Sequence, residues 1–317
     1  MEAFKEMLIN VIIFVALAIP GYILVKAKTL KAEQSLALSK LLMWVGLPFM
    51  ILSSLLDVSF TKTLVKGMAI VVVVGFLCFI GMFFLSFLLT KKEEDKKKQG
   101  MMRFAMLFSN NGFLGLPLAD AMFRATNPDA YFYLIILNIL TNCLMYTVGI
   151  YLVTGDKSKM SFKKAVLNPV IIAFALGVLL NLCDVKAYVP QVVTYSNHFK
   201  GMVAALSMTI LGMKLASIKF TSLFTSWKTY FISAIKLIVL PVVVVAAISL
   251  ADIWAGIGAS MALGAFISFG TPTAGLASTF ADAYDGDTEG SVVYTLGSTI
   301  LSVATIPVLY WILNLIV

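Results

Sequence analysis

The chain has 317 residues, of which 60% are hydrophobic and only 13% charged, with a mean hydropathy of +0.97. A soluble domain would carry about a quarter charged residues, so the composition excludes that class and leaves a polytopic membrane protein. The net charge of +8 is therefore read as loop cations on one side of a bilayer, and no nucleic-acid partner is needed to explain it.

A spanning helix takes about 20 apolar residues. On that measure ten spans are predicted, roughly at 6–26, 34–56, 63–90, 101–123, 129–153, 165–183, 197–217, 227–250, 256–283 and 289–315. The first is not a signal peptide. Its apolar run is long for one, Glu2, Lys5 and Glu6 ahead of it are not net positive, and no small-residue cleavage pattern follows Pro20 and Gly21. Joining segments are short and leave no separate domain. The one long polar run, KKEEDKKK at 91–98, reads as a solvated inner loop, because its three acids dilute any attraction to anionic lipid or nucleic acid.

Orientation follows from the cations. With the N-terminus outside, the inner loops hold Lys26, Lys28 and Lys31, the 91–98 run with Arg103, Lys157, Lys159, Lys163 and Lys164, and Lys214, Lys219 and Lys228. The other side holds only Lys5, Lys62, Lys66, Arg124, Lys186 and Lys200, so both termini are expected to be extracytoplasmic. Cys78, Cys143 and Cys183 lie far apart in apolar stretches and read as buried thiols. With one histidine, His198, expected at a membrane interface, the chain offers no metal set.

Two predicted spans are broken. The fourth carries SNNGFLGLP (109–117) at its centre, and the ninth carries ISFGTPTAGLAS (267–278). Irregular backbone at membrane depth is tolerated only against protein or a wet cavity, and paired breaks in two halves point to a transporter's binding site. Each break is fourth in a half of five spans, and an odd number inverts the second half relative to the first. The fifth and tenth spans match in their spaced polar residues, Asn138, Thr141 and Asn142 against Ser298, Thr299 and Ser302. Asn110 or Asn111 is expected to cap the half-helix running through Gly115 and Pro117, and Thr271 to cap one starting at Pro272. Asn168 and Pro169 form a third such start. If the two breaks cross, half-helix N-termini and the neutral side chains of Asn110, Asn111, Thr271 and Thr273 face one cavity, which suits a carboxylate better than a cation.

SNNGFLGLPL (109–118), NPVIIAFALG (168–177), GTPTAG (270–275) and YTLGSTILSVATIPVLYWIL (294–313) resemble the auxin efflux carrier family, over nearly the whole chain. That family includes the plant PIN transporters and bacterial permeases for malate and other small carboxylates. The resemblance implies an all-α fold of ten transmembrane helices in two inverted five-helix repeats, 1–154 and 155–317, with helices 4 and 9 crossing as in NhaA and the bile-acid symporters. It further implies a scaffold of helices 1, 2, 6 and 7, a transport domain of helices 3–5 and 8–10 moving as an elevator, and a homodimer; the compact loops look bacterial, which would place the protein in the cell inner membrane. The family's crossover asparagine and prolines fall on Asn110 or Asn111, Pro117 and Pro272, and its polar fifth helix on Asn138 and Asn142. The long loop of plant members shrinks here to 154–164, so its regulation by phosphorylation is not carried over.

The remaining charges leave alternatives open. Lys236, mid-span, reads as an attractor for an anionic substrate, a proton-exchange group, a structural ion pair or a snorkelling side chain. Lys40 lies near its helix end and snorkels. Asp120 could hold a coupling cation or pair with Lys236. Asp282, Asp285, Asp287 and Glu289 fail the calcium-loop spacing and read as an acidic inner loop. The expected function is a secondary carrier of small organic anions, with no cofactor and with proton or sodium coupling open. A sodium-coupled bile-acid-type symporter and a membrane metabolite sensor using the same site are the alternatives. No P-loop, zinc-ligand set, GxSxG or paired catalytic acids support an enzyme.

Overall fold

A computed structural model describes residues 2–218 and 221–316. The chain is all-helical. Among the described residues, eight helices are long and apolar enough to cross a membrane. They are α1 (Lys5–Lys26), α2 (Ala32–Leu55), α3 (Lys62–Leu89), α6 (Pro128–Thr154), α7 (Lys157–Leu182), α8 (Gln191–Ala216), α9 (Trp227–Ala255) and α12 (Thr288–Leu315). Between them lie two interrupted regions. One is α4 (Lys96–Leu107) followed, after a π-helical turn at Asn111–Gly115, by α5 (Leu116–Met122). The other is α10 (Ser260–Gly270) followed by α11 (Ala277–Ala283).

Local chemistry sets these elements. The Thr61 side chain accepts a hydrogen bond from the Leu64 N–H at 3.1 Å and starts α3. Asn127 does the same for α6 ahead of Pro128, accepting from Ala130 N–H at 3.1 Å. As the sequence suggests, Asn168 accepts from Val170 N–H at 2.9 Å and Pro169 opens the main stretch of α7. Three of the four π-helical turns among the described residues, at Leu42–Gly46, Asn111–Gly115 and Ile235–Val239, each end just before a Leu–Pro pair, at Pro48, Pro117 and Pro241; the fourth, at Met145–Gly149, has no proline after it. A proline gives up its own N–H and crowds the carbonyl four residues back, and widening the preceding turn relieves that crowding.

One group of helices packs closely: α8 lies against α1 and α2, and α7 against α2. A Cβ added at Gly21 would sit 2.0 Å from the Thr209 carbonyl oxygen, and one at Gly212 would sit 1.9 Å from that of Ala18. The backbones of α1 and α8 therefore touch, which only glycine permits. In the rest of the molecule α10 is clamped between α6 and α9, α3 lies along α6 and α9, and α12 runs beside α9 and α4.

The charged residues collect at two ends. At one, Asp57 pairs with Arg124 (2.9 Å) and Lys186 (2.6 Å), and Asp120 pairs with Arg124 (3.2 Å) and Lys200 (2.7 Å). At the other, Lys97 pairs with Asp285 at 2.7 Å and Lys228 with Glu93, whose carboxyl that ammonium holds below its ordinary range. The two groups match the two sets of loop cations expected from the sequence; Lys219 lies outside the described residues. In the 282–289 loop, Asp282 accepts from the Thr288 hydroxyl and Asp285 is taken by Lys97. His198 lies exposed two turns inside α8, further from a helix end than expected. Cys183 is exposed as well, which corrects its reading as a buried thiol, and Cys78 and Cys143 are half-buried.

Candidate functional site

The two interruptions meet. Ser109 and Thr273 form an antiparallel bridge, with Asn110 N–H donating to Pro272 O at 2.7 Å and Ala274 N–H to Phe108 O at 2.9 Å. Backbone groups that the helix breaks leave unpaired are thus satisfied by each other, at a depth where water is scarce. Thr273 reinforces the join, its hydroxyl donating to Ala105 O at 3.0 Å and its N–H to Ser298 Oγ at 3.1 Å.

This pairing corrects two capping expectations. Pro272, Thr273 and Ala274 are held by the bridge, the helix restarts at Ala277 rather than at Pro272, and Thr271 terminates α10 instead of capping a helix. Neither Asn110 nor Asn111 caps through its side chain. The Asn110 carbonyl accepts only the first intrahelical bonds, from Leu114 and Gly115 N–H at 3.0 Å each, and leaves the first turn uncapped.

Around the crossing lies a small cavity of about 30 Å³. Asn110, Asn111, Gly112 and Phe113 form one wall and Asn138, Asn142 and Met145 of α6 another; Ala274, Gly275 and Leu276 close a third side, with Met43 and Leu47 of α2 and Val170 of α7 opposite. Among the described residues, the N–H groups of Asn111, Gly112 and Phe113, in the first turn after the break, have no backbone acceptor. Donors in this position favour an anion.

The asparagines divide into two kinds. Asn111, 2% exposed, has its amide fully engaged: Nδ2 donates to Thr141 Oγ1 at 2.8 Å and to Ser268 Oγ at 3.1 Å, and Oδ1 accepts from Asn138 Nδ2 at 2.8 Å. Asn142 in turn donates to the Asn138 carbonyl at 2.8 Å. This network ties the first break to α6 and α10. Asn110, by contrast, makes no side-chain hydrogen bond among the described residues and faces the cavity. Of the other expected site residues, Gly115, Pro117, Thr271, Pro272 and Thr273 build the crossing but do not line the cavity.

Lys236 is fully buried in the π-helical turn of α9, where its ammonium donates to Ser109 Oγ and, at 3.0 Å, to Phe269 O. Those acceptors stand at the C-terminal ends of α4 and α10, where the helix dipole favours a cation. Lys236 therefore neither snorkels nor forms an ion pair among the described residues. The pairing of Asp120 with Lys236 fails as well, because Arg124, four residues on in the turn after α5, and Lys200 claim Asp120.

Two contacts were missed from the sequence. Ser268 hides in an apolar run. Lys214, counted there as a loop cation, donates from the end of α8 to Gly275 O at 3.1 Å and Ser278 Oγ at 2.7 Å, holding α8 against the second break. Its only sequence signal is a place within the last turn of the helix rather than beyond it.

A helical membrane protein whose two interrupted segments pair at their breaks, around neutral donors, has an architecture suited to a membrane carrier. Comparison with known proteins gives the family: the chain belongs to the membrane transport protein family, the auxin efflux carrier group, whose sequence model matches residues 6–161 and 156–310. It is 27% identical over 308 residues to an uncharacterized transporter of Methanothermobacter thermautotrophicus, covering 95% of this chain and 96% of that one. It is also 27% identical over 212 residues to an uncharacterized transporter of Methanocaldococcus jannaschii, covering 65% and 68% of the two chains.

Proposed function

We propose that this transporter is a secondary carrier of small organic anions, carboxylates of the malate or auxin-like class, and that it takes its substrate at the crossing of the two interrupted segments. One observation carries the reading: the cavity at the crossing is lined by Asn110, whose amide makes no hydrogen bond among the described residues, and by the first-turn residues Asn111, Gly112 and Phe113, whose N–H groups have no backbone acceptor among them, with no carboxylate in its wall. A cation would find few ligands there, and an anionic oxygen would find several donors.

The cavity holds about 30 Å³, the share of one water molecule in the liquid, so a carboxylate enters only after the walls part. The walls belong to two sets of helices. Met43, Leu47 and Val170 come from the closely packed group of α1, α2, α7 and α8, and the rest come from the crossing and α6. A sliding of the second set against the first, as an elevator within an inverted ten-helix repeat and a homodimeric assembly, would open the cavity to one side and then to the other. Lys214, reaching from α8 to Gly275, spans that boundary and must release for the movement to occur.

Lys236 bears on the sodium-coupled alternative. Its ammonium occupies the position between two half-helix C-termini where a coupling cation would gain most, so the carrier moves its anion without sodium. The test is isothermal titration of malate into purified protein in sodium-free buffer. Saturable binding that weakens in Asn110→Ala supports the site; binding unaffected by that change places the substrate elsewhere.

A further inference from the structure

A second cavity, of about 400 Å³, opens at the end of the molecule that carries most of the cations. Lys96, Lys97, Arg103 and Lys159 line it against a single carboxylate, Asp285, leaving three positive charges over (four minus one). Asp285 is already matched to Lys97 at 2.7 Å. The wall is rigid, because a Cβ on Gly100 of α4 would fall 2.2 Å from the Leu152 carbonyl of α6, so the two backbones are in contact.

Arg103 is posed rather than free. Its Nε donates to Thr90 Oγ1 at 2.8 Å and its guanidinium lies over the Phe87 ring at 3.7 Å. Its terminal nitrogens make no hydrogen bond to protein among the described residues, and they belong to a side chain that lines the cavity. A planar fork held at its base, in a cavity that two further lysines without ion pairs among the described residues also line, is an arrangement that matches the oxygens of a phosphoryl group. A lone carboxylate would neutralise one of the three charges and leave most of the space empty.

We propose that this cavity binds a phosphate-bearing anion, with Arg103 as the bidentate arm and Lys96 and Lys159 as flanking charges. Lys159 lies in the first turn of α7, at the junction of the two halves of the sequence, so the bound anion ties the start of the second half to α4. The phosphoryl group comes either from a lipid headgroup or from a soluble phosphate compound. The assignment is independent of the transported substrate.

The experiment measures the thermal unfolding midpoint of the full-length, delipidated transporter in two arms. One titrates inorganic phosphate against chloride at constant ionic strength, and the other compares nanodiscs of phosphatidylcholine with and without phosphatidylglycerol. Two double variants serve as controls, Arg103→Gln with Lys159→Gln, and Lys96→Gln with Lys159→Gln; the second leaves the packing of Arg103 intact. The wild type is expected to show saturable stabilisation, and each variant about a tenfold weaker response, the loss of hydrogen bonds to a charged group. Stabilisation by inorganic phosphate identifies a soluble phosphate as sufficient, and stabilisation by phosphatidylglycerol alone identifies the lipid headgroup. No stabilisation in either arm, or an equal response in wild type and variants, overturns the assignment.

Discussion

Asn110 and Asn111 are neighbours of the same type with opposite expected behaviour when truncated. Asn111→Ala removes three side-chain hydrogen bonds, to Thr141, Ser268 and Asn138, and leaves the buried Asn138 Nδ2 without that acceptor. At about 0.6–1 kcal/mol for each bond, the loss is about 2–3 kcal/mol. For a chain of this size that corresponds to a fall of about 3–5 °C in the unfolding midpoint, read in detergent at a fixed scan rate because such unfolding is seldom reversible. Asn110→Ala breaks no side-chain bond among the described residues, so its midpoint should stay within about 2 °C of wild type while carboxylate affinity falls about tenfold. The reasoning fails if Asn110→Ala destabilises as much as Asn111→Ala, or if it keeps wild-type affinity.

The other predictions are more local. Gly212→Val puts a side chain into the Ala18 carbonyl, so the protein should lose monodispersity on size exclusion, whereas Gly201→Val, where nothing lies within 4 Å of an added Cβ, should not. Lys236→Met leaves Ser109 and Phe269 O facing each other without a cation, and uptake of anion in sodium-free vesicles should fall by about an order of magnitude or more, a loss of the size expected for hydrogen bonds to a charged group. Because Lys228 lowers the folded-state carboxyl of Glu93 below its ordinary value of 4.5, the pair stabilises the protein above that pH and the contribution is lost as pH falls through the lowered value. Acid titration of the midpoint below pH 4.5 should therefore be shallower in Glu93→Gln than in wild type. Finally, Cys183 is exposed at the end of α7 on the face expected outside, so an impermeant maleimide should label it in intact cells; labelling only after lysis reverses the orientation.

Much of this fold is legible because a bilayer constrains sequence so strongly. The apolar runs locate the eight long helices, with the start of α7 missed by eight residues because its first turns are polar, and the breaks at 109–117 and 267–278 stand out because glycine, proline and asparagine have no place mid-span unless something receives their backbone. What receives it was only half visible. Read as a helix start, Thr271–Pro272 is reasonable local chemistry, but the antiparallel bridge to Ser109 takes those residues first, and the cap moves to where the bridge lets go. The engagement of Asn111 and the freedom of Asn110 were likewise out of reach, since they depend on Thr141 and Ser268, which come from two other helices. Asp120 is different. Its partner Arg124 stood four residues away in plain view, and the local i,i+4 rule would have outranked the distant Lys236.

The central claim is tested most directly by uptake of labelled malate into proteoliposomes in which choline replaces sodium on both sides, with wild type and Asn110→Ala compared under an imposed membrane potential or proton gradient. The account predicts saturable uptake by wild type without sodium, and a large loss in Asn110→Ala at subsaturating malate. Uptake that requires sodium, or that is the same in both proteins, would contradict it.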